Sequence, residues 1–144
     1  MTKAEPYSTL SYMSQIPVST GNHSKRLISF DIDGTMEFGD PPGRISAQWV
    51  RQAKELGCLV GSASDRPLAE QQRLWKANGI EGDFFTLKHW LENLKTQFSA
   101  EEYWHVGDGQ MDELYAVQAG FTFFWPDSFL EAAHIHLNGT HQAP

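Results

Sequence analysis

Residues 27–35 read LISFDIDGT, an apolar run that leads into two acidic residues, a glycine and a threonine. A short apolar run cut off by Gly34 is typical of a buried strand. The preceding residues 1–26 are rich in Ser, Thr, Pro and Tyr without a sustained period, which indicates an irregular leader. We therefore predict that the domain begins at Leu27 and that its first strand carries Asp31 and Asp33 at its carboxyl end.

Strand-like and helix-like segments alternate along the rest of the chain. The apolar residues of the first helical segment share one stripe, and Gly57 follows at a stop position. Ser128 and Glu131 fit a capping box, which predicts that a last helix starts there and ends near Leu137. The predicted helices are residues 46–56, 67–78, 89–98, 111–119 and 128–137, and the later strands are 58–63, 84–87, 103–106 and 121–125. This order predicts an α/β fold: a three-layer, Rossmann-like parallel sheet of about five strands with helices on both faces.

Length and composition restrict the class of protein. A chain of 144 residues forms one domain, here predicted at 27–137 with a tail at 138–144, and needs no disulfide; the single cysteine, Cys58, sits in an apolar run and is expected in the core. The 11 basic and 18 acidic residues give a net charge of -7, which disfavours nonspecific binding to nucleic acid or anionic membrane. Without a spanning segment or signal peptide, the expected location is the cytoplasm.

Polar side chains follow four of the predicted strands. Ligands bind beyond the carboxyl ends of strands in such sheets, so these side chains are expected to converge. Neighbouring carboxylates repel, and a hard divalent cation such as Mg²⁺ together with a bound anion relieves that repulsion. The candidate residues are Asp31, Asp33, Ser64, Lys88, Asp108 and Asp112.

These residues, in this order, resemble the four motifs of the haloacid dehalogenase (HAD) superfamily: DxDGT at 31–35, Ser64, Lys88, and GDxxxD at 107–112. The resemblance covers about residues 27–125. It implies that Asp31 is a nucleophile that forms an aspartyl phosphate and that Asp33 is a general acid and base. It further implies that Mg²⁺ is held by Asp31, by the backbone carbonyl of Asp33 and by Asp108, with Asp112 in support.

Three residues would then bind the phosphate. Ser64 would donate to a phosphate oxygen, Lys88 would neutralise charge, and Gly34 would let the backbone turn so that nearby amides face the anion. Two alternatives stay open at this stage. Ser62 competes with Ser64, although Ser64 keeps the following Arg-Pro pair in the register of the motif; Lys95 competes with Lys88, although it lies further into a predicted helix.

The second acid, Asp33, favours phosphoryl chemistry, because dehalogenase-like members lack it. The expected function is a Mg²⁺-dependent phosphatase that hydrolyses a small phosphate monoester. Asp65 stands where this motif usually has glycine, which motivates a rival function: a catalytically weak binding or regulatory domain. Phosphoryl transfer to a second substrate is a third possibility.

The spacing between motifs limits what covers the site. From Asp31 to Ser64 is 33 residues and from Ser64 to Lys88 is 24, and the predicted strands and helices fill both spans. A large cap does not fit, so the resemblance is to capless members. Residues 36–44, with two glycines and two prolines, are a candidate short flap, and a homo-oligomer that covers the site is a further possibility.

Overall fold

The computed structural model describes the backbone of residues 23–137 and the side chains of residues 24–133. Five parallel strands form one sheet in the order β3-β2-β1-β4-β5. The strands are β1 (His23–Phe30), β2 (Leu59–Ser64), β3 (Phe84–Leu87), β4 (Ser99–Val106) and β5 (Thr122–Phe124). The α-helices are α1 (Ala47–Glu55), α2 (Leu68–Ala77), α3 (Leu94–Gln97), α4 (Gln110–Ala119) and α5 (Pro126–Leu137), and a 3₁₀-helix spans Lys88–Asn93.

The central strand β1 separates two apolar cores. Ile28 and Phe30 belong to a core with residues of α1, α2 and α5. Leu27 points the other way and belongs to a core with residues of the 3₁₀-helix, α3 and α4. Period-two alternation along β1 therefore fills both faces of the sheet. The predicted three-layer α/β fold is confirmed, and no large cap is evident in the described part of the chain.

The first strand begins four residues earlier than predicted. His23 to Arg26 pair with β4, and Arg26 is buried beneath Glu102 and the ring of Trp104, with Arg26 Nη2 2.7 Å from Glu102 Oε1. Ser24 and Arg26 are buried and Lys25 between them is exposed, but all three are polar, so no apolar pattern in the sequence marks this part of the strand. Residues 1–22 of the predicted leader and the predicted tail at 138–144 lie outside the described residues.

Two helical segments also differ from prediction. The last helix begins at Pro126 rather than Ser128, because a proline is well suited to the first turn and the Phe129 N–H donates to the Trp125 carbonyl at 2.8 Å. The predicted helix 89–98 is instead a 3₁₀-helix followed by the short α3, with a kink at Trp90. Cys58 is buried in the core as predicted.

No described helix combines the length and the apolar character that a bilayer crossing requires.

Candidate active site

A buried lysine joins two aspartates at the carboxyl edge of the sheet. Lys88 Nζ lies 3.1 Å from Asp31 Oδ2 and 3.2 Å from Asp112 Oδ1. Asp31 directly follows β1, Lys88 directly follows β3, and Asp112 lies in the first turn of α4. All three residues are buried. The structure thus brings together three sequence-predicted residues that are 57 and 24 positions apart along the chain.

An acidic cluster lies at the same place. Asp31, Asp108 and Asp112 each offer one carboxylate oxygen, and the three oxygens lie within 4.8 Å of one another. An octahedral Mg²⁺ about 2.1 Å from each ligand separates opposite ligands by about 4.2 Å, so small side-chain rotations bring this set within its span. The donors are all hard oxygen atoms. The residues present therefore fit Mg²⁺ or a similar hard divalent cation.

The hydrogen bonds of Asp112 suit it to a supporting role in that cluster. Its Oδ1 accepts from His105 Nε2 at 2.9 Å as well as from Lys88, and its Oδ2 accepts from the Gly109 N–H at 3.2 Å. Both lone pairs of Oδ1 are thus engaged within the protein. Asp112 uses this oxygen to hold the Lys88 ammonium group rather than to bind a metal ion.

The charge on Asp31 is costly in these surroundings. Burial raises the pKa of Asp31, the charge of Asp112 raises it further, and Lys88 opposes both, so that the pKa lies at about 7. Asp31 Oδ1 accepts the N–H of Ile32 at 2.8 Å, which fixes the carboxylate. A second positive charge at this position would favour the ionised form.

Asp33 faces a different partner. Arg66 donates two hydrogen bonds to its carboxylate, from Nη2 to Oδ1 at 2.8 Å and from Nε to Oδ2 at 3.1 Å. The Asp40 N–H also donates to Oδ1, at 2.8 Å. The Arg66 hydrogen bonds hold the pKa of Asp33 below its usual range. Asp33 is therefore an ionised, partly exposed carboxylate, and its side chain is not part of the acidic cluster.

Gly34 has a left-handed backbone conformation that favours glycine, and it lies close to the second acidic segment. Its φ is +78°, and a Cβ built there would lie 1.9 Å from Asp108 Oδ2. The Gly34 N–H donates to the Pro41 carbonyl at 2.6 Å, so this amide already has a partner within the protein. The predicted flap at 36–44 folds back on the loop that carries Asp33, and its residue Met36 is fully buried.

The two open alternatives are separated by where the side chains lie. Ser62 is buried, and its hydroxyl donates to Gln71 Oε1 at 2.6 Å, within the packing of α2 against the sheet. Ser64 ends β2 at the edge of the site, and its Oγ accepts the Arg66 N–H at 3.0 Å. Lys95 donates to the Gly120 carbonyl at 3.0 Å, whereas Lys88 contacts Asp31. The Asp65 side chain is exposed.

Two residues at the site escaped the sequence reasoning. Arg66 was recognised only as part of a motif register, although an arginine two positions past a strand end is a ready partner for Asp33. His105 lies fully buried inside β4, where burial lowers the pKa of its imidazole. A histidine between Trp104 and Val106, three positions before Asp108, was the available signal for it.

Comparison with known proteins adds no relative. No family model matches the chain, and neither a curated protein nor a solved structure does. The resemblance to the HAD superfamily therefore stays a prediction that depends on the motif residues.

Proposed function

We propose that this protein is a Mg²⁺-dependent phosphatase of the HAD type that hydrolyses a small phosphate monoester. The observation that carries the proposal is the Lys88 ammonium group held between Asp31 and Asp112, beside carboxylate oxygens within 4.8 Å of one another. Such a site pairs a nucleophilic carboxylate with a cation that stabilises charge on a transferring phosphoryl group.

In the proposed reaction, a carboxylate oxygen of Asp31 attacks phosphorus and forms an aspartyl phosphate as the bond to the leaving alcohol oxygen breaks. Asp33 gives its proton to that oxygen. Water then attacks the phosphorus of the intermediate, Asp33 takes the proton from this water, and Asp31 and inorganic phosphate are released. Both carboxylates return to their starting state.

Several residues of this chain assist without changing covalently. Lys88 and Ser64 bind phosphoryl oxygens. Asp31, Asp108 and the backbone carbonyl of Asp33 would hold Mg²⁺, which when bound supplies positive charge to the phosphoryl oxygens. Asp112 keeps Lys88 in place.

The role of Asp33 requires a change at Arg66. A general acid must carry a proton, and the two-pronged contact with Arg66 favours the ionised form. In the proposed cycle Arg66 therefore loosens its contact with Asp33 when the anionic substrate enters, because the phosphate competes for the guanidinium, and Asp33 then takes up a proton from solvent.

The test is hydrolysis of 4-nitrophenyl phosphate by the full chain with Mg²⁺ and with EDTA. We expect turnover only with Mg²⁺, and a loss of roughly 1,000-fold or more in Asp31→Asn. Asp127→Asn removes an exposed carboxylate whose one ion-pair partner among the described residues is Arg44, at 3.2 Å, and serves as the matched control. Equal rates in wild type and Asp31→Asn would reject Asp31 as the nucleophile.

A second candidate function is a binding or regulatory domain that keeps the pocket but turns over little. The observation in its favour is the same Arg66 contact, which engages both oxygens of Asp33. If the wild type hydrolyses none of a broad panel of phosphate monoesters yet binds inorganic phosphate in the presence of Mg²⁺, this function replaces the phosphatase.

A further inference from the structure

A chain of buried polar groups continues behind the candidate site. Ser29 in β1 lies next to His105 in β4, with Ser29 Oγ 3.0 Å from His105 Nδ1. On its other side His105 Nε2 lies 2.9 Å from Asp112 Oδ1. That same oxygen is 3.2 Å from Lys88 Nζ, which in turn is 3.1 Å from Asp31 Oδ2.

The direction of each hydrogen bond in this chain follows from chemistry. Burial raises the pKa of Asp112, but His105 and Lys88 outweigh burial and hold it below its usual range, so the carboxylate only accepts. His105 Nε2 must then be the donor. Burial lowers the pKa of His105, and in the neutral ring Nδ1 is left to accept the hydroxyl hydrogen of Ser29.

We propose that His105 is a positioning residue: its Nε2–H bond fixes the Asp112 carboxylate so that Asp112 holds the Lys88 ammonium group against Asp31. This inference deepens the proposed function, on which its kinetic readout depends. His105 touches neither Asp31 nor Lys88 in a described hydrogen bond, so it acts only through Asp112.

The packing explains why this position needs a histidine rather than an apolar residue. His105 and Asp112 are 0 % and 1 % exposed, so water does not replace a lost donor cheaply. Without Nε2–H, Asp112 keeps only Lys88 at Oδ1 and the Gly109 N–H at Oδ2, so the carboxylate is held less firmly and has room to rotate. Rotation would move the ammonium group away from Asp31, at a site where small displacements cost rate.

The kinetic test compares two replacements of His105 in the full chain with 4-nitrophenyl phosphate and Mg²⁺. His105→Gln keeps an N–H donor at the place of Nε2, whereas His105→Leu keeps volume and removes the donor. We expect His105→Leu to lower kcat roughly tenfold or more with KM changed less than about threefold, and His105→Gln to stay within about threefold of wild type. Ser29→Ala, which leaves Nε2–H in place, is the matched control and is expected within about threefold as well.

A double-mutant cycle separates positioning from general support of the fold. In an Asp112→Asn background the carboxylate is already lost, so His105→Leu should lower kcat no further than about threefold. A purely structural role predicts the opposite: equal losses in His105→Gln and His105→Leu, or a full loss that persists beside Asp112→Asn. Either result would overturn the proposal.

Side-chain nitrogen NMR tests the same chain of contacts without activity. We expect the wild type to show His105 protonated at Nε2 and not at Nδ1, and the Lys88 Nζ resonance to shift in both His105→Leu and Asp112→Asn but not in Ser29→Ala. A His105 protonated only at Nδ1, or a Lys88 signal indifferent to His105→Gln and His105→Leu alike, rejects the inference. If His105→Leu does not fold, the Nδ1 and Nε2 signals of wild type and Asp112→Asn still decide it. If the protein folds with these NMR contacts but hydrolyses no phosphate ester, the proposed function fails while the positioning contact stands.

Discussion

At the scale of single residues, Asp31 is the carboxylate whose charge the fold opposes most clearly. It is buried and lies near Asp112, and the single positive charge of Lys88 is shared between the two carboxylates. Because the folded state raises its pKa, the proton is bound more tightly in the folded chain than in the unfolded one. A residue that is poised for chemistry in this way lowers the stability of the metal-free protein at neutral pH.

The raised pKa of Asp31 predicts that Asp31→Asn increases the free energy of unfolding by an amount that depends on pH. Between the ordinary value of 3.8 and the folded value of about 7, the folded chain keeps a proton that the unfolded chain loses, so the free energy of unfolding falls as pH rises through this window. In EDTA at pH 8 we expect Asp31→Asn to be more stable than wild type by on the order of 1 kcal/mol or more, with a smaller gain at pH 5. Urea unfolding at both pH values measures it, with the exposed Asp127→Asn as control. A gain that grows toward pH 5 has the wrong sign and contradicts the raised pKa.

The contact between Arg66 and Asp33 leads to a separate prediction, about the pH dependence of kcat/KM. Its hydrogen bonds lower the pKa of Asp33, so removing them should keep Asp33 protonated to higher pH. If Asp33 is the general acid, Arg66→Gln moves the alkaline fall of kcat/KM to higher pH and raises kcat/KM at pH 7 roughly threefold or more. Glu70→Gln removes the other ionic partner of Arg66, 3.4 Å away, and should leave the profile unchanged. An alkaline limb that stays in place in Arg66→Gln would remove Asp33 from the acid role.

The residues predicted at the site differ from those missed in one physical respect. Asp31, Lys88 and Asp112 follow strands or begin helices, and the topology of a parallel sheet brings such positions to one edge. His105 lies inside a strand, where sequence alone does not say which partner satisfies a buried ring. The contact between Arg66 and Asp33 depends on how two loops fold back, which no periodicity encodes.

At the scale of elements, the helix starts show where local sequence signals suffice. Ser46 is the N-cap of α1, and its Oγ accepts the Trp49 N–H at 3.0 Å. Ser128 had the same kind of signal, yet it lies within the first turn of α5, which begins at Pro126. The buried side chain of Phe129 packs on the sheet, with its ring centroid 5.7 Å from that of Phe30 in β1, so tertiary packing overrides the capping pattern.

Removing these two hydroxyl groups should therefore have unequal effects. We expect Ser46→Ala to lower the free energy of unfolding by about 1 kcal/mol, because the first turn of α1 loses its cap. Ser128→Ala should change it by less than about 0.5 kcal/mol, because the side chain is exposed and makes no cap hydrogen bond to a described residue. Chemical denaturation of both variants gives the comparison. Equal losses would mean that Ser128 supports α5 after all.

The limits of the strands could be predicted only where their residues are apolar. The apolar runs of β1, β2 and β3 predicted those strands well, because both faces of a central parallel sheet are buried. The first residues of β1 and β4 are polar or exposed and were missed, since their pairing is carried by backbone hydrogen bonds with little apolar burial. Arg26 is the clearest case, as a charged residue buried against Glu102.

At the scale of the whole molecule, net charge and site are connected. Of the 18 acidic residues, three form the cluster of Asp31, Asp108 and Asp112 that the sheet brings together, in a chain with a net charge of -7. Asp108 is the exposed member of this cluster, whereas Asp31 and Asp112 are buried. Any cation therefore acts on the protein in two ways: by general screening of the charge, and by binding at the cluster.

Thermal unfolding with matched ionic strength separates the two. With a dissociation constant of about 1 mM, 10 mM Mg²⁺ would stabilise the folded chain by about 1.4 kcal/mol, or a rise in Tm of roughly 5 °C. We expect this rise in wild type and in Asp127→Asn, and none beyond that of NaCl at equal ionic strength in Asp108→Asn, which lacks one carboxylate of the cluster. Asp108→Asn and Asp127→Asn change the net charge equally. Screening alone therefore predicts that Mg²⁺ raises Tm by the same amount in both variants. An identical rise in the two variants would mean that Mg²⁺ stabilises the protein by screening alone and that the cluster binds no ion.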